Sequence, residues 1–128
     1  MKKRLLKANG DGEHTYDYGN DILLFKIKNR DYMKSIDFEN IVIDIDKEDF
    51  ITGMRIFDAS KVLKLSKLAL RNIQQFEFNA KAEENVITIQ LRFMAVLRNK
   101  PIIKQGQDFV RESLNSDILD SEVLCSVA

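Results

Sequence analysis

The sequence predicts a mainly β fold (α+β), an antiparallel two-layer sandwich or roll with one short helical segment near residues 59–72. Two observations support this prediction. Apolar residues recur at every second position through most of the chain, the spacing of half-buried strands, and helical spacing is confined to residues 59–72. With 128 residues, 45% of them apolar, the chain is expected to form a single domain over residues 1–128.

The first half predicts a series of short strands. Residues 1–13 form a weakly specified lead-in, in which Asn9-Gly10-Asp11-Gly12 has the composition of a turn. Strands are predicted at 22–28 and 32–38, and the clearest hairpin pairs residues 41–46 with residues 51–57. Gly53 inside the second hairpin strand predicts a bulge or a close approach of backbones.

One helical stretch follows the hairpin. Asp58 or Ser60 can cap its start, and Val62, Leu65 and Ala69 recur at helical spacing. Because Ser66 could cap a second turn, the stretch is compatible with two short helices at an angle.

The second half is a predicted β extension over residues 73–127. Its strands are expected at 73–81, 86–97, 102–111 and 123–127, with a loop at 113–120. The residues expected in the core of both halves are Leu23, Phe25, Ile41, Ile43, Ile45, Ile56, Val62, Leu65, Ile89, Leu91 and Phe93.

Residues 14–60 resemble the domain of unknown function family 2283. The resemblance is carried by Tyr16-Asp17, Asp21-Ile22-Leu23, the two hairpin strands up to Ile56, and Phe57-Asp58-Ala59-Ser60. The rest of the chain resembles the longer form of archaeal members, which implies an archaeal source. The resemblance implies no activity, because the family has none assigned.

An acidic cluster at the hairpin turn is the candidate for a metal site. Hard cations need several oxygen ligands that converge on one point. The cluster begins like an EF-hand loop, but Asp49 stands where glycine is needed and Arg55 where glutamate is needed. A solvated turn, without metal or cofactor, is therefore the favoured interpretation of Asp44, Asp46, Glu48 and Asp49.

No catalytic residue is predicted. His14 is the one histidine, has no partner ligand near it in the sequence, and is expected to be an ordinary surface residue. Cys125, the one cysteine, lies on the apolar face of a predicted strand and is expected to be buried rather than nucleophilic.

The charge is balanced, with 20 Lys and Arg against 20 Asp and Glu, so a nucleic-acid partner is not expected. A membrane span is not expected either, and the single cysteine fits a soluble cytoplasmic protein. Two basic groups could still contact phosphates: Lys2, Lys3, Arg4 and Lys7 at the start of the chain, and Lys26, Lys28, Arg30 and Lys34 around one turn.

The strand at 86–97 predicts an interface. One face of a single antiparallel sheet is usually wet, yet the second face of this strand carries Val86, Thr88, Met94 and Val96. We expect a homo-oligomer, with a dimer favoured, and leave room for a protein partner. The sequence thus favours a non-enzymatic, self-associating or partner-binding β domain. One alternative, implied by the resemblance to small family members that look as if they accompany toxin-like partners, is an antitoxin-like or regulatory partner of a small toxin or nucleic acid. The other is a small metal- or ligand-binding protein that uses the acidic hairpin.

Overall fold

One mixed sheet of nine strands runs through the part of the chain that the structure, a computed structural model, describes, namely residues 4–112 and 118–127. The sheet order is β3-β4-β5-β2-β1-β9-β6-β7-β8. The elements are β1 Arg4–Asp17, β2 Ile22–Ile27, β3 Tyr32–Phe38, β4 Ile41–Asp46, β5 Ile51–Phe57, α1 Ala59–Leu63, α2 Lys67–Leu70, β6 Ile73–Glu83, β7 Val86–Leu97, β8 Lys100–Glu112 and β9 Ser121–Val127.

The sequence predicted a purely antiparallel sheet, but the sheet is mixed. Seven of its neighbouring pairs are antiparallel, but β1 and β9 run parallel, with Leu6 beside Val123 and Ala8 beside Cys125. Alternation of apolar residues determines which face of a strand is buried, but it carries no information on the direction of the neighbouring strand. The parallel pair joins a first half, β1 to β5, to a second half, β6 to β9.

The sheet curls over on itself into the predicted roll. Phe25 on β2 and Phe93 on β7 are four strands apart, which in a flat sheet would separate them by about 19 Å. Their ring centroids are only 6.5 Å apart, and Phe76 on β6 lies 4.7 Å from Phe25. The two halves therefore face each other across one shared core.

Strand β1 bends where it changes neighbours. Its first residues pair with β9 and its last with β2, and the register shifts between Asn9 and Gly12. Gly10 has a φ of +89°, in the region that favours glycine. The segment predicted as a turn is thus a β-bulge inside one long strand, because the same residue types suit both structures.

The helical segment consists of two short helices within the predicted range. Ser66 caps α2 by accepting a hydrogen bond from the Ala69 amide at 3.1 Å. The helices pack against β5 and β7 and bury Leu63 and Leu70 at one end of the roll. None of the helices in the described ranges is long and apolar enough to cross a membrane.

The expected core is buried, with the exception of Val62 and Leu65, which are half-buried on the helical segment. Strands β2 to β7 begin and end within two residues of their predicted limits. Of the predicted loop, residues 113–117 lie outside the described residues, and β9 starts at Ser121, two residues before the predicted strand.

Candidate functional site

A shallow depression of about 460 Å³ lies on the outer face of the first half. Register places Glu13, Lys26, Gly53, Asp44 and Ser35 side by side across β1, β2, β5, β4 and β3. We call this feature the Gly53 depression; it is lined by Glu13, Lys26, Ile27, Lys28, Asn29, Arg30, Tyr32, Asp44, Thr52 and Gly53.

Gly53 forms the floor of the depression because it has no side chain. A Cβ atom at this position would lie 3.2 Å from the carbonyl oxygen of Phe25 and 3.3 Å from Oδ2 of Asp44. The register of the hairpin also shifts beside it, between Asp44 and Ile45. Both the bulge and the close approach that the sequence predicted at Gly53 are therefore present.

One wall of the depression is a chain of hydrogen bonds that ends at Tyr32. Nη2 of Arg55 donates to Oδ1 of Asp44 at 2.8 Å, and the Ser35 hydroxyl donates to the same oxygen at 2.7 Å. Because the Ser35 hydroxyl is used as a donor there, the Tyr32 hydroxyl donates to Ser35, at 2.8 Å. The network holds the exposed ring of Tyr32 at the rim.

The opposite wall is basic. Lys26 pairs with Glu13 at 3.0 Å, with both side chains largely exposed. Lys28 and Arg30 follow on the same rim together with Tyr32, whereas Lys34 of the second basic group pairs with Asp49 at 4.0 Å and does not line the depression. Exposed pairs such as Lys26–Glu13 contribute little stability, so Lys26 and Lys28 are available to a ligand or partner, while Arg30 is held by Asp46 and Glu48.

The acidic cluster does not converge on one point. Asp44 accepts hydrogen bonds from Arg55 and Ser35 in the depression. Asp46 is buried and accepts a hydrogen bond from Nε of Arg30 at 2.7 Å. It also accepts hydrogen bonds from the amides of Glu48 and Phe50, both at 2.9 Å. In the described part of the chain, no group of three or more His, Cys, Asp or Glu side chains is placed to hold a metal ion. The prediction of a solvated turn is wrong for Asp46, because its carboxylate is buried and accepts hydrogen bonds from the amides of the turn from inside.

Of the remaining two acids of the cluster, Glu48 shares a partner with Asp46, whereas Asp49 contacts a different segment. Glu48 pairs with Arg30 at 3.2 Å, and Oδ2 of Asp49 accepts the amide of Leu119 at 2.7 Å. Asp49 thereby connects the hairpin turn to the segment that precedes β9. The hairpin tip is a structural junction between the two halves.

The basic lead is only partly available to phosphates. Lys2 and Lys3 lie outside the described residues. Arg4 donates to the carbonyl oxygens of Glu48 and Asp49, at 2.6 and 3.0 Å, and its guanidinium lies 4.4 Å from the ring centroid of Phe50. Arg4 therefore clamps the hairpin tip, and Lys7 alone is left as an exposed cation of the lead within the described residues.

A buried carboxylate that sequence reasoning missed lies between β1, β2 and α1. Asp21 accepts hydrogen bonds from the Tyr16 hydroxyl at 2.6 Å, the Ser60 hydroxyl at 2.6 Å and the Ser60 amide at 3.1 Å. Burial alone would raise the pKa of Asp21, but the bonds from Ser60 and Tyr16 outweigh it, so the pKa is lowered. The signal was the resemblance itself, since Tyr16, Asp21 and Ser60 all belong to the matching stretches.

His14 and Cys125, the two candidates for catalytic groups, both contact the core. His14 is half-buried: it is paired with Phe25 in register and meets Phe76 edge to face at 5.6 Å, and this burial lowers its pKa. Cys125 is buried, as expected, and burial raises the pKa of its thiol to about 11. A protonated, enclosed thiol is a poor nucleophile at neutral pH.

The expected interface residues share the outer face of β7 but do not form one apolar patch. Val86 and Thr88 lie at one end, where Val110 of β8 is paired with Thr88 and is 55% exposed. Met94 and Val96 lie at the other end and are half-buried. Between them the same face presents the exposed Gln90 and Arg92.

Comparisons with known proteins place the chain in a family. The family described as protein of unknown function (DUF2283) matches residues 14–60. A protein of Methanosarcina mazei, provisionally named hypoxanthine phosphoribosyltransferase, is 35% identical over 96 residues, which cover 75% of this chain and 77% of the relative. An uncharacterised protein of Methanocaldococcus jannaschii is 34% identical over 92 residues, 71% of this chain and 79% of its own length.

Both relatives come from archaea, in agreement with the archaeal character expected from the sequence. No solved structure matches the chain. Nine of the ten residues that line the Gly53 depression lie within the matching stretch, and Glu13 immediately precedes it. The chain belongs to the DUF2283 family, which has no assigned function.

Proposed function

We propose that the protein is a non-enzymatic binding domain that recognises a partner protein at the Gly53 depression. The proposal rests on one observation: nine of the ten residues that line the depression lie in the segment that matches the family. The remaining strands of the roll supply the core against which this face is held.

The composition of the rim supports a protein partner. Tyr32 is 61% exposed and lines the depression with Lys28 and Arg30, and its neighbour in the sequence, Met33, is 56% exposed. Tyrosine, methionine and arginine are enriched where proteins meet, and an aromatic ring held in place by hydrogen bonds loses little entropy on binding. The Ser35 and Asp44 bonds hold the Tyr32 hydroxyl in this way.

The test uses a double rim variant, Tyr32→Ser with Lys28→Glu, and a matched double variant outside the depression, the far variant, Gln90→Ser with Lys7→Glu. All four positions are exposed, so both proteins are expected to fold. Proteins captured from an archaeal extract by each variant are quantified, and a candidate partner is then purified and titrated by calorimetry. We expect 1:1 binding that the rim variant weakens at least tenfold and the far variant leaves unchanged. A purified partner that binds both variants equally, or no stoichiometric partner at all, would contradict the proposal.

Self-association is the second candidate, favoured by the apolar end of β7 and β8. Val86 is 37% exposed and Val110 is 55% exposed, and the zero net charge offers little repulsion between copies. In analytical ultracentrifugation we expect a dimer that Val110→Lys dissociates. A monomer at high concentration would exclude this candidate.

The name of the M. mazei relative provides a direct test of the non-enzymatic proposal. Purified protein is incubated with hypoxanthine and a phosphoribosyl donor, and the nucleotide product is followed by chromatography. We expect no product above the level of a heat-denatured control. Turnover that is lost in a variant of the Gly53 depression would show that this surface is an active site instead.

A further inference from the structure

A second surface, independent of the Gly53 depression, lies where the turn between β1 and β2 meets the two helices. The ring of Tyr18 is 47% exposed there. The guanidinium of Arg71 lies 4.9 Å from the ring centroid and Nζ of Lys67 lies 5.5 Å from it. Nζ of Lys67 also approaches the carbonyl oxygen of Tyr18, at 3.4 Å. Two cations thus converge on one surface aromatic ring.

The helical segment concentrates positive charge that the balanced total conceals. Residues 59–72 contain four cations, Lys61, Lys64, Lys67 and Arg71, and no Asp or Glu. The rest of the chain is left with sixteen of the 20 Lys and Arg against all 20 Asp and Glu. Lys61, Lys64 and Arg71 are exposed. Positive charge is therefore concentrated at one end of the molecule, and the rest of the chain carries a net negative charge.

Three acids lie next to Tyr18 or to the helical segment in the sequence, namely Asp17, Asp21 and Asp58, and the first two accept hydrogen bonds within the protein. Asp21 is buried under Tyr16 and Ser60, and Asp17 accepts both the amide and the side chain of Asn20. Asp17 and Asp58 are the exposed acids beside this end. The four cations consequently outnumber the accessible carboxylates around Tyr18.

We propose that this end of the molecule, defined by Tyr18, Lys61, Lys64, Lys67 and Arg71, binds single-stranded nucleic acid. The cations contact phosphates, and an unpaired base packs on the Tyr18 and Arg71 pair, since aromatic rings and guanidinium planes stack on bases without reading their sequence. A duplex keeps its bases stacked inside and offers nothing to the ring. A membrane surface is the poorer fit, because helices of five and four residues cannot present the long apolar face of an interfacial helix.

The experiment is fluorescence anisotropy with labelled single-stranded RNA and DNA of mixed sequence, compared with the matching duplex and with anionic phospholipid vesicles. Four phosphate contacts predict that binding weakens with salt at a log–log slope of about −3. Lys61→Glu with Lys64→Glu is expected to abolish binding at low salt. Tyr18→Ala is expected to weaken it roughly 5- to 100-fold, the range for loss of one stacked base, while the salt slope stays unchanged.

The matched control is Lys26→Glu with Lys28→Glu in the Gly53 depression, which makes the same change of charge at two other exposed positions and is expected to leave the anisotropy curve unchanged. Circular dichroism confirms that each variant is folded. No binding of any single strand at low salt would overturn the proposal. So would affinity that Tyr18→Ala does not change, equal affinity for the duplex, or binding of vesicles alone.

Discussion

Gly12 is the residue on which the join between the two halves depends. It lies where β1 leaves β9 and continues along β2, and a Cβ atom there would be 2.6 Å from the Ser126 carbonyl oxygen, 2.8 Å from Sγ of Cys125 and 2.9 Å from Cζ of Phe76. Two of these three atoms belong to β9 and one to β6. No rotation of a single flexible side chain relieves all three contacts, so strand spacing itself must change.

We predict that Gly12→Ala lowers the free energy of unfolding by about 3 kcal/mol, as overpacking against backbone does. The measurement is urea denaturation followed by circular dichroism. Gly19→Ala is the matched control, because its Cβ would make only an ordinary contact, 3.6 Å from Oδ1 of Asp17. Equal stability of the two variants would mean that β1 and β9 do not approach each other as described.

Asp21 predicts an acid-sensitive contribution to stability. The pKa of Asp21 is lowered in the folded protein, so the unfolded chain binds a proton more readily than the folded protein does. The contribution of Asp21 to stability is therefore fully present above the ordinary pKa of 3.8. It is lost as the pH falls through the lower pKa of the folded protein. Asp21→Asn is expected to cost roughly 1.5–3 kcal/mol at pH 7, typical of hydrogen bonds to a charged group. The difference from the parent protein should shrink below about pH 4, as measured by urea unfolding across pH. A difference that stays constant with pH would contradict this role.

At the scale of elements, the hairpin of β4 and β5 is fastened at its tip rather than exposed to bind a cation. Asp46 closes the turn, Arg30 neutralises it, and Arg4 holds the carbonyl oxygens of Glu48 and Asp49. Phe50 lies 4.4 Å from the Arg4 guanidinium and 5.8 Å from that of Arg30. Cation–ring contacts of this kind add to the stability of a partly desolvated site.

Removal of the Asp46 carboxylate should therefore loosen the tip and the segment that it anchors. We expect Asp46→Ala to lower the free energy of unfolding by roughly 2–4 kcal/mol, since it leaves Arg30 without its buried partner. Hydrogen exchange should become faster at residues 47–50 and at Leu119, which is bound to Asp49. Asp31→Ala, at an exposed position in the neighbouring turn, is the control and should change neither quantity. Unchanged exchange at the tip would show that the clamp is not needed.

At the scale of the whole molecule, alternation of apolar residues was enough to locate β2 to β7, and helical spacing located the helical segment, because both patterns are visible in the local sequence. Neither pattern could reveal that β1 and β9 are parallel neighbours, since that pairing joins residues more than a hundred positions apart. The partial burial of His14 could not be predicted for a related reason: its face is determined by the pairing with Phe25. The Gly53 depression was equally hidden, because its row of residues comes from five strands.

The shared core predicts that residues 1–128 unfold as one unit. Phe25 of the first half contacts Phe76 of the second, and the buried cluster extends without a break through both. In differential scanning calorimetry we expect one transition whose calorimetric and van't Hoff enthalpies agree. Phe76→Leu should shift that transition to lower temperature without splitting it. Two separable transitions would mean that the halves are independent domains.

The position of β9 between β1 and β6 has a consequence for how the protein is made. During synthesis the first five strands leave the ribosome early and can pair among themselves, but β6 has no neighbour on one side until residues 121–127 arrive. Insertion of β9 must bring residues 121–127 beside a strand more than a hundred positions earlier, which is the slow kind of closure for a polypeptide. Until it occurs, the edges of β1 and β6 that pair with β9 are unpaired, and unpaired strand edges are the sites at which chains aggregate.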